Sequence, residues 1–285
     1  MKVKAAVLRE SGKPLPYANS LPLSIEEVEL DPPQSGEVMV QVKAAGLCHS
    51  DLVAIDGERA KPMPMVIGHE AAGIVCKLGP EVEGLTVGDH VVPSYVASCG
   101  RCDMCQEGRP ALCHPATVAN KAGTLIDGTT RLHNNGQRIY HHSGVAAFSE
   151  YAVISQNALV KIDPKIPFEV AALFGCAVVT GVGSVVNTAK VSPGESVAIV
   201  GLGGVGLNAL LASIASGAGR VIAVDVKEKK LKIASQLGAH NTFNSTLENC
   251  VEQILELTDG GVHFAFETAG VSPALDLAYK ITRRG

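Results

Sequence analysis

The chain has 285 residues, of which 46% are apolar and 18% are charged, and its net charge at pH 7 is −4. This length allows two domains of ordinary size, and the composition is that of a globular protein. The weak charge gives no reason to expect nucleic acid or an anionic membrane as a partner, and no run of about 18 apolar residues predicts a membrane-spanning helix.

The N-terminal part of the sequence favours β-structure. Its first residues, MKVKAAVLRE, contain no apolar segment before a small-residue cleavage site, so no secretory signal is predicted and we expect a cytoplasmic protein. Short β-rich runs are separated by proline and glycine. They are Val3–Leu8, Ile25–Leu30, Glu37–Ala44, Gly73–Leu78 and His90–Pro93. This pattern predicts an irregular β-barrel whose loops can carry ligands.

Residues 94 to about 147 have poor periodicity and many glycines, cysteines, asparagines and histidines. An irregular segment of this length is usually functional or is organised by something other than a core. It contains four cysteines in the spacing C-x2-C-x2-C-x7-C, namely Cys99, Cys102, Cys105 and Cys113. In a reducing compartment such a cluster indicates a metal site, and four thiolates fit structural zinc. An iron–sulfur cluster is the alternative, disfavoured by the long reach from the first to the last cysteine and by the lack of proline directly after Cys113.

From about residue 168 the pattern becomes helical and then alternates between strand and helix. The predicted elements are helices Phe168–Phe174 and Thr180–Ala189, strand Ser196–Val200, helix Val205–Ser216, strand Val221–Val224, helix Glu228–Leu237, a shorter unit around Asn241–Phe243, helix Leu247–Leu257 and strand Val262–Glu267. This alternation predicts a doubly wound parallel sheet of the α/β class. A complete cofactor-binding sheet of this kind needs about two more strands. We therefore expect a truncated form of a longer protein, with a naturally shortened sheet as the alternative.

A glycine motif follows the strand Ser196–Val200 and opens the next helix. It reads Gly201-Leu202-Gly203-Gly204-Val205-Gly206, and Asp225 ends the following strand. In this context the glycines permit a tight turn and close approach of a pyrophosphate, and the acid accepts hydrogen bonds from a ribose. The motif therefore predicts a dinucleotide site. Asp225 favours NAD over NADP, although the nearby Lys227, Lys229 and Lys230 weaken that preference.

The remaining cysteines and histidines are dispersed along the chain. Cys48, His69, Glu70 and Cys176 each have an ordinary interpretation when taken singly, and their spacing alone does not assemble them into one site. We interpret Cys76 and Cys250 as small buried residues. The other histidines are interpreted as surface or packing residues, namely His90, His114, His133, His141, His142, His240 and His263.

One stretch of the sequence resembles a known family. Gly68-His69-Glu70-x2-Gly73-x5-Gly79-x2-Val82 is similar to the signature of zinc-containing alcohol dehydrogenases of the medium-chain dehydrogenase/reductase superfamily. The resemblance extends from residue 3 to the last residue and includes the four-cysteine segment. It implies a GroES-like irregular β-barrel catalytic domain over residues 1–177, with a zinc lobe at about 94–116. It also implies a Rossmann NAD-binding domain over residues 178–285 that is incomplete at the C-terminus.

The resemblance also implies a second metal site. By position, Cys48, His69 and Cys176 match the ligands of the catalytic zinc ion. Glu70 matches a carboxylate behind the metal that can become a transient ligand. Asp51 matches the carboxylate that orients the ligating histidine. With the four-cysteine lobe, this gives two zinc ions per chain.

Further roles follow from the resemblance. Ser50 matches the hydroxyl that takes the substrate proton, but the histidine that relays this proton in many relatives is replaced by Val53. Proton release would then need water, another base or the ribose hydroxyls. His49 matches a residue that contacts the cofactor pyrophosphate, Lys230 one that contacts the ribose and Thr180 one that packs near the nicotinamide.

The implied activity is reversible hydride transfer between an alcohol and NAD, which gives an aldehyde or a ketone. Cys176, where polyol dehydrogenases commonly have glutamate, favours the alcohol-type members. The implied partners are a small alcohol or aldehyde and, in the full-length protein, a second or further copies in a homodimer or homotetramer. The alternatives are a thiol-adduct formaldehyde dehydrogenase and a non-catalytic or metal-free nucleotide-binding relative. A further alternative is that the 285-residue form is inactive.

Overall fold

A computed structural model of the chain describes residues 1–284. By its internal contacts the chain divides into two units, Met1–Cys176 and Ala177–Gly285. The strands of the first unit are β1 (Lys2–Leu8), β2 (Leu23–Leu30), β3 (Glu37–Gly46), β4 (Met65–Val66), β5 (Glu70–Leu78), β6 (His90–Pro93), β7 (Leu132–Asn134), β8 (Gln137–His141), β9 (Tyr151–Ser155) and β10 (Leu159–Lys161).

The strands of the first unit form a closed barrel and an open sheet. The barrel has the order β1-β2-β7-β8-β4, and the sheet has the order β10-β6-β5-β3-β9. Pairing is antiparallel except between β4 and β8, which run parallel. The predicted irregular barrel is therefore confirmed.

Alternation along β1 shows why the barrel forms. Val3, Ala5 and Val7 are almost fully buried, whereas Lys2 and Lys4 are exposed, as expected for a strand with one face on the core. The three buried residues pack with Val28 and with residues of other strands in one cluster. A strand with this alternation can bury only one face, so it must join a layered or closed sheet.

Helices connect the strands of the first unit. They are α1 (Tyr17–Ser20), α2 (His49–Asp56), α3 (Asp103–Gln106), α4 (His114–Ala122) and α5 (Phe168–Ala171), the last followed by a 3-10 turn over Ala172–Gly175. The segment 94–147 is more ordered than its sequence predicts, because α4 and the β7–β8 hairpin lie within it. These elements are short, and their apolar positions are too few to produce a readable period.

The second unit alternates between helices and strands as predicted. Its elements are α6 (Ala177–Gly183) with a π-helical turn over Ser184–Ala189, β11 (Ser196–Val200), α7 (Gly204–Ala215), β12 (Arg220–Asp225), α8 (Glu228–Gln236), β13 (Asn241–Asn244), α9 (Cys250–Leu257), β14 (Phe264–Glu267) and α10 (Ser272–Lys280). The strands are parallel and have the order β13-β12-β11-β14. The doubly wound parallel sheet is confirmed.

Both faces of this sheet are covered. Val197 and Ile199 of β11 pack on the face that carries α7, whereas Ala198 and Val200 pack on the face that carries α9 and α10. Burial on two faces explains why these strands read as continuous apolar runs. The chain leaves β11 toward β12 on one side and returns to β14 on the other, so the strand order reverses beside the carboxyl end of β11, where ligands of such sheets bind.

Among residues 1–284, no single helix is long and apolar enough to cross a membrane. One bent pair of helices, Phe168–Gly175 and Ala177–Ala189, passes the same test by length and composition alone.

Candidate functional site

The four cysteines of the lobe come together in space. Cys102 precedes α3, Cys105 lies within it, and Cys113 stands at the junction of a 3-10 turn and α4. The four sulfur atoms all lie within 4.8 Å of one another, and the Cys113 side chain is fully buried. Two short helices and a turn therefore direct four thiols toward one point.

The separations between these sulfurs fit a tetrahedral metal ion. The Sγ atom of Cys102 lies 3.6 Å from that of Cys105 and 3.9 Å from that of Cys113. Four thiolates around zinc at Zn–S distances of about 2.3 Å have S···S edges of about 3.8 Å. All four cysteines are free thiols. The chemistry and spacing of the sulfurs thus fit zinc.

Backbone groups also favour thiolates in the lobe. The Cys99 N–H points to the Cys113 sulfur, and the Cys102 N–H points to the Cys99 sulfur, each at 3.3 Å. Backbone N–H groups of Cys105 and His114 lower the pKa of Cys102 to about 6. Metal binding requires the deprotonated thiol, and these N–H donors favour it at Cys102.

A second cluster joins residues that are far apart in the sequence. Cys48 precedes α2, and His69 directly precedes β5, which begins at Glu70. Cys176 directly follows the 3-10 turn after α5. Their ligand atoms all lie within 4.8 Å of one another, and the Cys48 and Cys176 sulfurs are 3.9 Å apart. That S···S distance again matches the edge of a zinc tetrahedron, about 3.8 Å.

The ionisable groups of this cluster influence one another strongly. Hydrogen bonds from Cys176 and His69 lower the pKa of the Cys48 thiol, and the same contact with Cys48 raises the pKa of Cys176. Burial lowers the pKa of His69, but the Asp51 carboxylate and the Cys48 sulfur outweigh burial and raise it to about 9. A divalent cation needs the thiolate and the neutral imidazole, so its binding would displace the proton that these neighbours hold on His69.

Glu70 lies behind the two thiols in a restricted space. Its side chain is 2% exposed, and burial followed by the nearby Cys48 charge raises the pKa of its carboxyl group. A Cβ atom at Gly46 would overlap the Glu70 carboxylate, and it would also crowd Leu173. Glycine at position 46 therefore provides the space that the Glu70 side chain occupies.

Asp51 connects the residues of this cluster through its carboxylate. Its Oδ1 accepts hydrogen bonds from the His69 ring at 3.1 Å and from the Gly68 N–H at 3.2 Å. Its Oδ2 accepts the Cys48 N–H at 3.0 Å. Because Nδ1 of His69 faces Asp51, Nε2 is the nitrogen that remains for a metal, and this division of roles is common among ligating histidines.

Two residues near this cluster were not predicted. The Tyr95 ring stands edge-on to His69 at a centroid distance of 6.1 Å, and the His142 ring stands edge-on at 5.3 Å. Tyr95 is 38% exposed, whereas His142 is buried. Both belong to the poorly periodic segment 94–147, where the sequence contains no motif that distinguishes them from packing residues.

The predicted proton-transfer residues lie on α2. The Ser50 hydroxyl is exposed and stands 3.5 Å from the Cys48 sulfur, and His49 beside it is also exposed. Val53 lies one turn further along the helix and is half-buried. The structure thus brings Ser50 next to the cysteine cluster.

The glycine motif of the second unit forms a tight turn between β11 and α7. Gly201 has φ +96°, a conformation that L side chains rarely adopt, and a Cβ atom there would also crowd Ala269. A Cβ atom at Gly206 would overlap the Gly201 carbonyl, while the space beside Gly203 is open. The open space and the free N–H groups at the start of α7 fit the pyrophosphate of a dinucleotide.

Asp225 is held rigidly at the end of β12. Its carboxylate accepts the Leu202 N–H at 2.8 Å and the Lys227 N–H at 3.0 Å, and it pairs with the Lys230 ammonium at 3.3 Å. Burial raises the pKa of Asp225, but these contacts outweigh burial and lower it. An ionised acid in this position fits a ribose diol. Thr180 is exposed on α6.

Comparisons with known proteins identify relatives of both parts of the chain. Residues 34–164 match the alcohol dehydrogenase GroES-like domain, and residues 204–285 match the zinc-binding dehydrogenase domain. An S-(hydroxymethyl)glutathione dehydrogenase of Synechocystis sp. is 41% identical over all of this chain and 76% of its own length. The corresponding protein of Photobacterium damsela subsp. piscicida is 39% identical with the same coverage.

The chain belongs to the zinc-dependent alcohol dehydrogenases of the medium-chain dehydrogenase/reductase superfamily. Solved structures of the family have the same fold. Benzyl alcohol dehydrogenase from Acinetobacter calcoaceticus aligns with a TM-score of 0.90 and 36% identity, over 99% of this chain and 75% of its own. A zinc-binding domain alcohol dehydrogenase from Burkholderia ambifaria aligns with a TM-score of 0.91 and 37% identity, over 99% and 74%.

Membership of this zinc-dependent alcohol dehydrogenase family confirms two predictions. The fold consists of a GroES-like barrel unit and a Rossmann-type parallel sheet. The protein is an oxidoreductase of the alcohol dehydrogenase type.

Proposed function

We propose that this alcohol dehydrogenase transfers a hydride reversibly between an alcohol and NAD at a zinc ion held by Cys48, His69 and Cys176. The observation that carries the proposal is the cluster itself, in which two thiols, a buried imidazole and a buried carboxylate have ligand atoms within 4.8 Å. Three protein ligands with a remaining open position are typical of catalytic zinc sites. Glu70 is the carboxylate that becomes a ligand transiently.

A second zinc ion is proposed for the lobe formed by Cys99, Cys102, Cys105 and Cys113. Four sulfur ligands leave no open position, so this ion has a structural role. The support is the separation of the sulfurs and the backbone N–H groups directed at two of them.

NAD is the proposed cofactor of the second unit. Gly203 leaves open space for its pyrophosphate, Gly201 and Gly206 permit the tight turn, and the first backbone N–H groups of α7 are the donors. The ionised Asp225 accepts hydrogen bonds from the adenosine ribose and repels the 2′-phosphate of NADP. Lys230 adds a contact to the ribose, Thr180 packs near the nicotinamide, and His49 contacts the pyrophosphate.

The residues of this chain orient the reactants and move the proton. When bound, zinc supplies Lewis acidity toward the alcohol hydroxyl, and the nicotinamide supplies a hydride acceptor. Asp51 fixes the His69 ring through the hydrogen bond at Nδ1. The Ser50 hydroxyl takes the substrate proton and, because Val53 cannot carry one, passes it to the solvent water to which Ser50 is exposed.

Metal analysis and turnover of the 285-residue protein test this proposal. We expect two zinc ions per chain in the unmodified protein. The variants C48S and C176S should each bind one zinc ion fewer and should no longer form reduced NAD. S50A is expected to lower kcat by roughly 10²–10⁴-fold, as is usual for a lost proton-transfer group. S50T retains a hydroxyl group and should keep the kcat of the unmodified protein. One zinc ion or none in the unmodified protein contradicts the proposal, and so does full activity of S50A.

A second candidate activity is the oxidation of S-(hydroxymethyl)glutathione, the adduct of a thiol with formaldehyde. The observation in its favour is that relatives bearing that name are 41% and 39% identical to this chain over its whole length. The chemistry at the zinc ion is the same, because the adduct also carries a hydroxyl group on the carbon that loses the hydride.

A substrate panel separates the two candidates. We would compare kcat/KM for S-(hydroxymethyl)glutathione, benzyl alcohol and short primary and secondary alcohols, with hydroxymethyl adducts of other thiols as controls for the glutathione part. A preference of more than about tenfold for the glutathione adduct, which corresponds to about 1.4 kcal/mol of transition-state binding, favours the second candidate. Equal or better turnover of simple alcohols favours the first.

A further inference from the structure

The Asp51 carboxylate is a buried acid that connects several segments of the first unit. Its side chain is 1% exposed, and three N–H donors from Cys48, Gly68 and His69 already point to its two oxygens. A carboxylate removed from water needs its lone pairs satisfied by donors, or its burial is costly. Which donors surround Asp51 therefore determines how firmly it holds the His69 ring.

The His142 ring also stands against this carboxylate. Its Nδ1 lies 3.0 Å from Asp51 Oδ1, the same oxygen that accepts from His69, and its side chain is 4% exposed. This close contact falls short of hydrogen-bond geometry, so Nδ1 of His142 is a buried polar atom without a hydrogen-bond partner among residues 1–284. Because a carboxylate oxygen only accepts, the proton of the His142 ring belongs on this nitrogen.

His69 and His142 lie next to two chain segments that are joined by backbone hydrogen bonds. Ala147 donates its N–H to the Gly68 carbonyl, and Phe148 donates to the Ile67 carbonyl, both at 2.9 Å. Between this pairing and β8, Ser143 has φ +53°, which is uncommon for a residue other than glycine. The left-handed turn at Ser143 thus directly follows the residue that faces Asp51.

The charges agree with the contacts. Burial raises the pKa of the Asp51 carboxyl group, but His142 and then His69 outweigh burial and hold it well below its usual range. The carboxylate is ionised, and two imidazole rings stand against one of its oxygens at 3.0 and 3.1 Å.

We propose that His142 is a positioning residue of the catalytic metal site: with His69 and Gly68 it fixes Asp51 Oδ1, and through Asp51 it fixes the ring of His69. The inference rests on the proposed function only in taking His69 as a zinc ligand. His142 itself does not reach the four ligand atoms, since it belongs to a separate group with Asp51 and His69. Loss of such an outer partner typically lowers metal affinity or activity by roughly 10- to 100-fold.

Three variants of the 285-residue protein test the positioning role. H142L removes the donor. H142N places an amide N–H near the position of Nδ1, and H142Q extends the amide toward the position of Nε2. The zinc affinity of each protein is measured by competition with a chelator. The visible spectrum after cobalt substitution reports the geometry at the Cys48 and Cys176 thiolates.

The expected result is specific to the catalytic site. H142L should bind zinc at the catalytic site with an affinity roughly 10- to 100-fold weaker than that of the unmodified protein. Its cobalt spectrum should be shifted, while the lobe retains its metal. H142N should recover at least a large part of the affinity and H142Q less. Circular dichroism and thermal unfolding of all three proteins check the fold.

Two results overturn the proposal. The first is a wild-type affinity and cobalt spectrum for H142L. The second, which decides the matter if H142L does not fold, is identical metal binding by H142N and H142Q, because packing alone does not distinguish the position of the N–H. Failure of the proposed function is recognised separately by zinc content. In that case the unmodified protein and C48S would bind the same number of zinc ions.

Discussion

The Thr268 hydroxyl donates a hydrogen bond of 2.6 Å to the carbonyl oxygen of Gly201. This contact joins the carboxyl end of β14 to the glycine turn after β11, at the place where the strand order reverses. The Thr268 N–H also binds the Val200 carbonyl at 2.8 Å, so two hydrogen bonds hold the turn from one neighbouring strand. The turn that is proposed to receive the pyrophosphate is therefore fixed before a ligand arrives.

Replacing Thr268 by valine tests this contact. T268V keeps the shape of the side chain but removes the donor, so the dissociation constant of NAD should rise roughly threefold to tenfold, in keeping with about 1 kcal/mol for one hydrogen bond. Titration calorimetry measures this change. T268S retains the hydroxyl and should bind NAD as the unmodified protein does. Unchanged affinity in T268V contradicts the role.

Removing the charge of Asp225 should relax the choice between NAD and NADP. In D225S the repulsion of a 2′-phosphate is lost, and Lys227, Lys229 and Lys230 remain nearby, so the ratio of kcat/KM for NADP to that for NAD should increase at least about tenfold. Steady-state kinetics with both cofactors measures the ratio. E252S removes one negative charge from the exposed part of α9 and serves as the control. A ratio that changes equally in both variants contradicts the prediction.

Disrupting the lobe should cost one metal ion and part of the stability. Cys113 is fully buried, and C113S should lower the zinc content by one ion per chain and the Tm by about 5 °C or more, because the ion organises a segment with little core. Metal analysis and calorimetry measure these effects. The matched control is C76S, since the Cys76 thiol lies outside both clusters and donates to the Ile74 carbonyl. Equal losses in both variants would argue against zinc in the lobe.

Stability should fall in mild acid because of His141. Its ring is fully buried, and its Nε2 accepts a hydrogen bond from the backbone N–H of Arg131 at 3.0 Å. Burial lowers the pKa of His141 to about 4. His141 binds a proton near pH 6.5 in the unfolded chain but not in the folded protein. The resulting loss of folding stability is absent above pH 6.5 and grows as pH falls toward 4. It should reach about 3 kcal/mol.

Urea unfolding of the unmodified protein and H141Q between pH 7.5 and pH 4.5 measures this effect. The amide oxygen of glutamine can accept the Arg131 N–H without titrating, so the free energy of unfolding of H141Q should depend less on pH. Loss of metal ions in acid affects both proteins, and only their difference is interpreted. Parallel pH profiles for the two proteins would be inconsistent with a buried neutral His141.

Much of the fold can be predicted from the sequence because it depends on short-range patterns. Alternation of apolar and polar residues predicts the barrel strands, and apolar runs between amphipathic helices predict the parallel sheet, as the structure confirms. The sequence predicts an irregular segment over residues 94–147, whereas α4 and the hairpin of β7 and β8 lie within it. Their pairing partners, such as β2 and β4, are distant in the sequence, so local periodicity does not reveal them.

The candidate sites divide in the same way. The lobe cysteines lie within 15 residues of one another, and the glycine motif is one continuous turn, so spacing alone indicates both. Cys48 and Cys176 are separated by 128 positions, and their sulfurs meet at 3.9 Å only in the folded chain. Resemblance to a family was needed to group them. Neither spacing nor resemblance pointed to His142.

The sequence by itself determined which chemistry is present, namely thiols at zinc spacing, glycines at a phosphate turn and an acid after the next strand. The tertiary structure alone decided that Asp51 faces both His69 and His142, and that Thr268 fixes Gly201. The physical reason is that the local pattern follows from covalent spacing and backbone geometry. Hydrogen bonds between distant segments instead depend on the packing of the whole core, which no single stretch of sequence encodes.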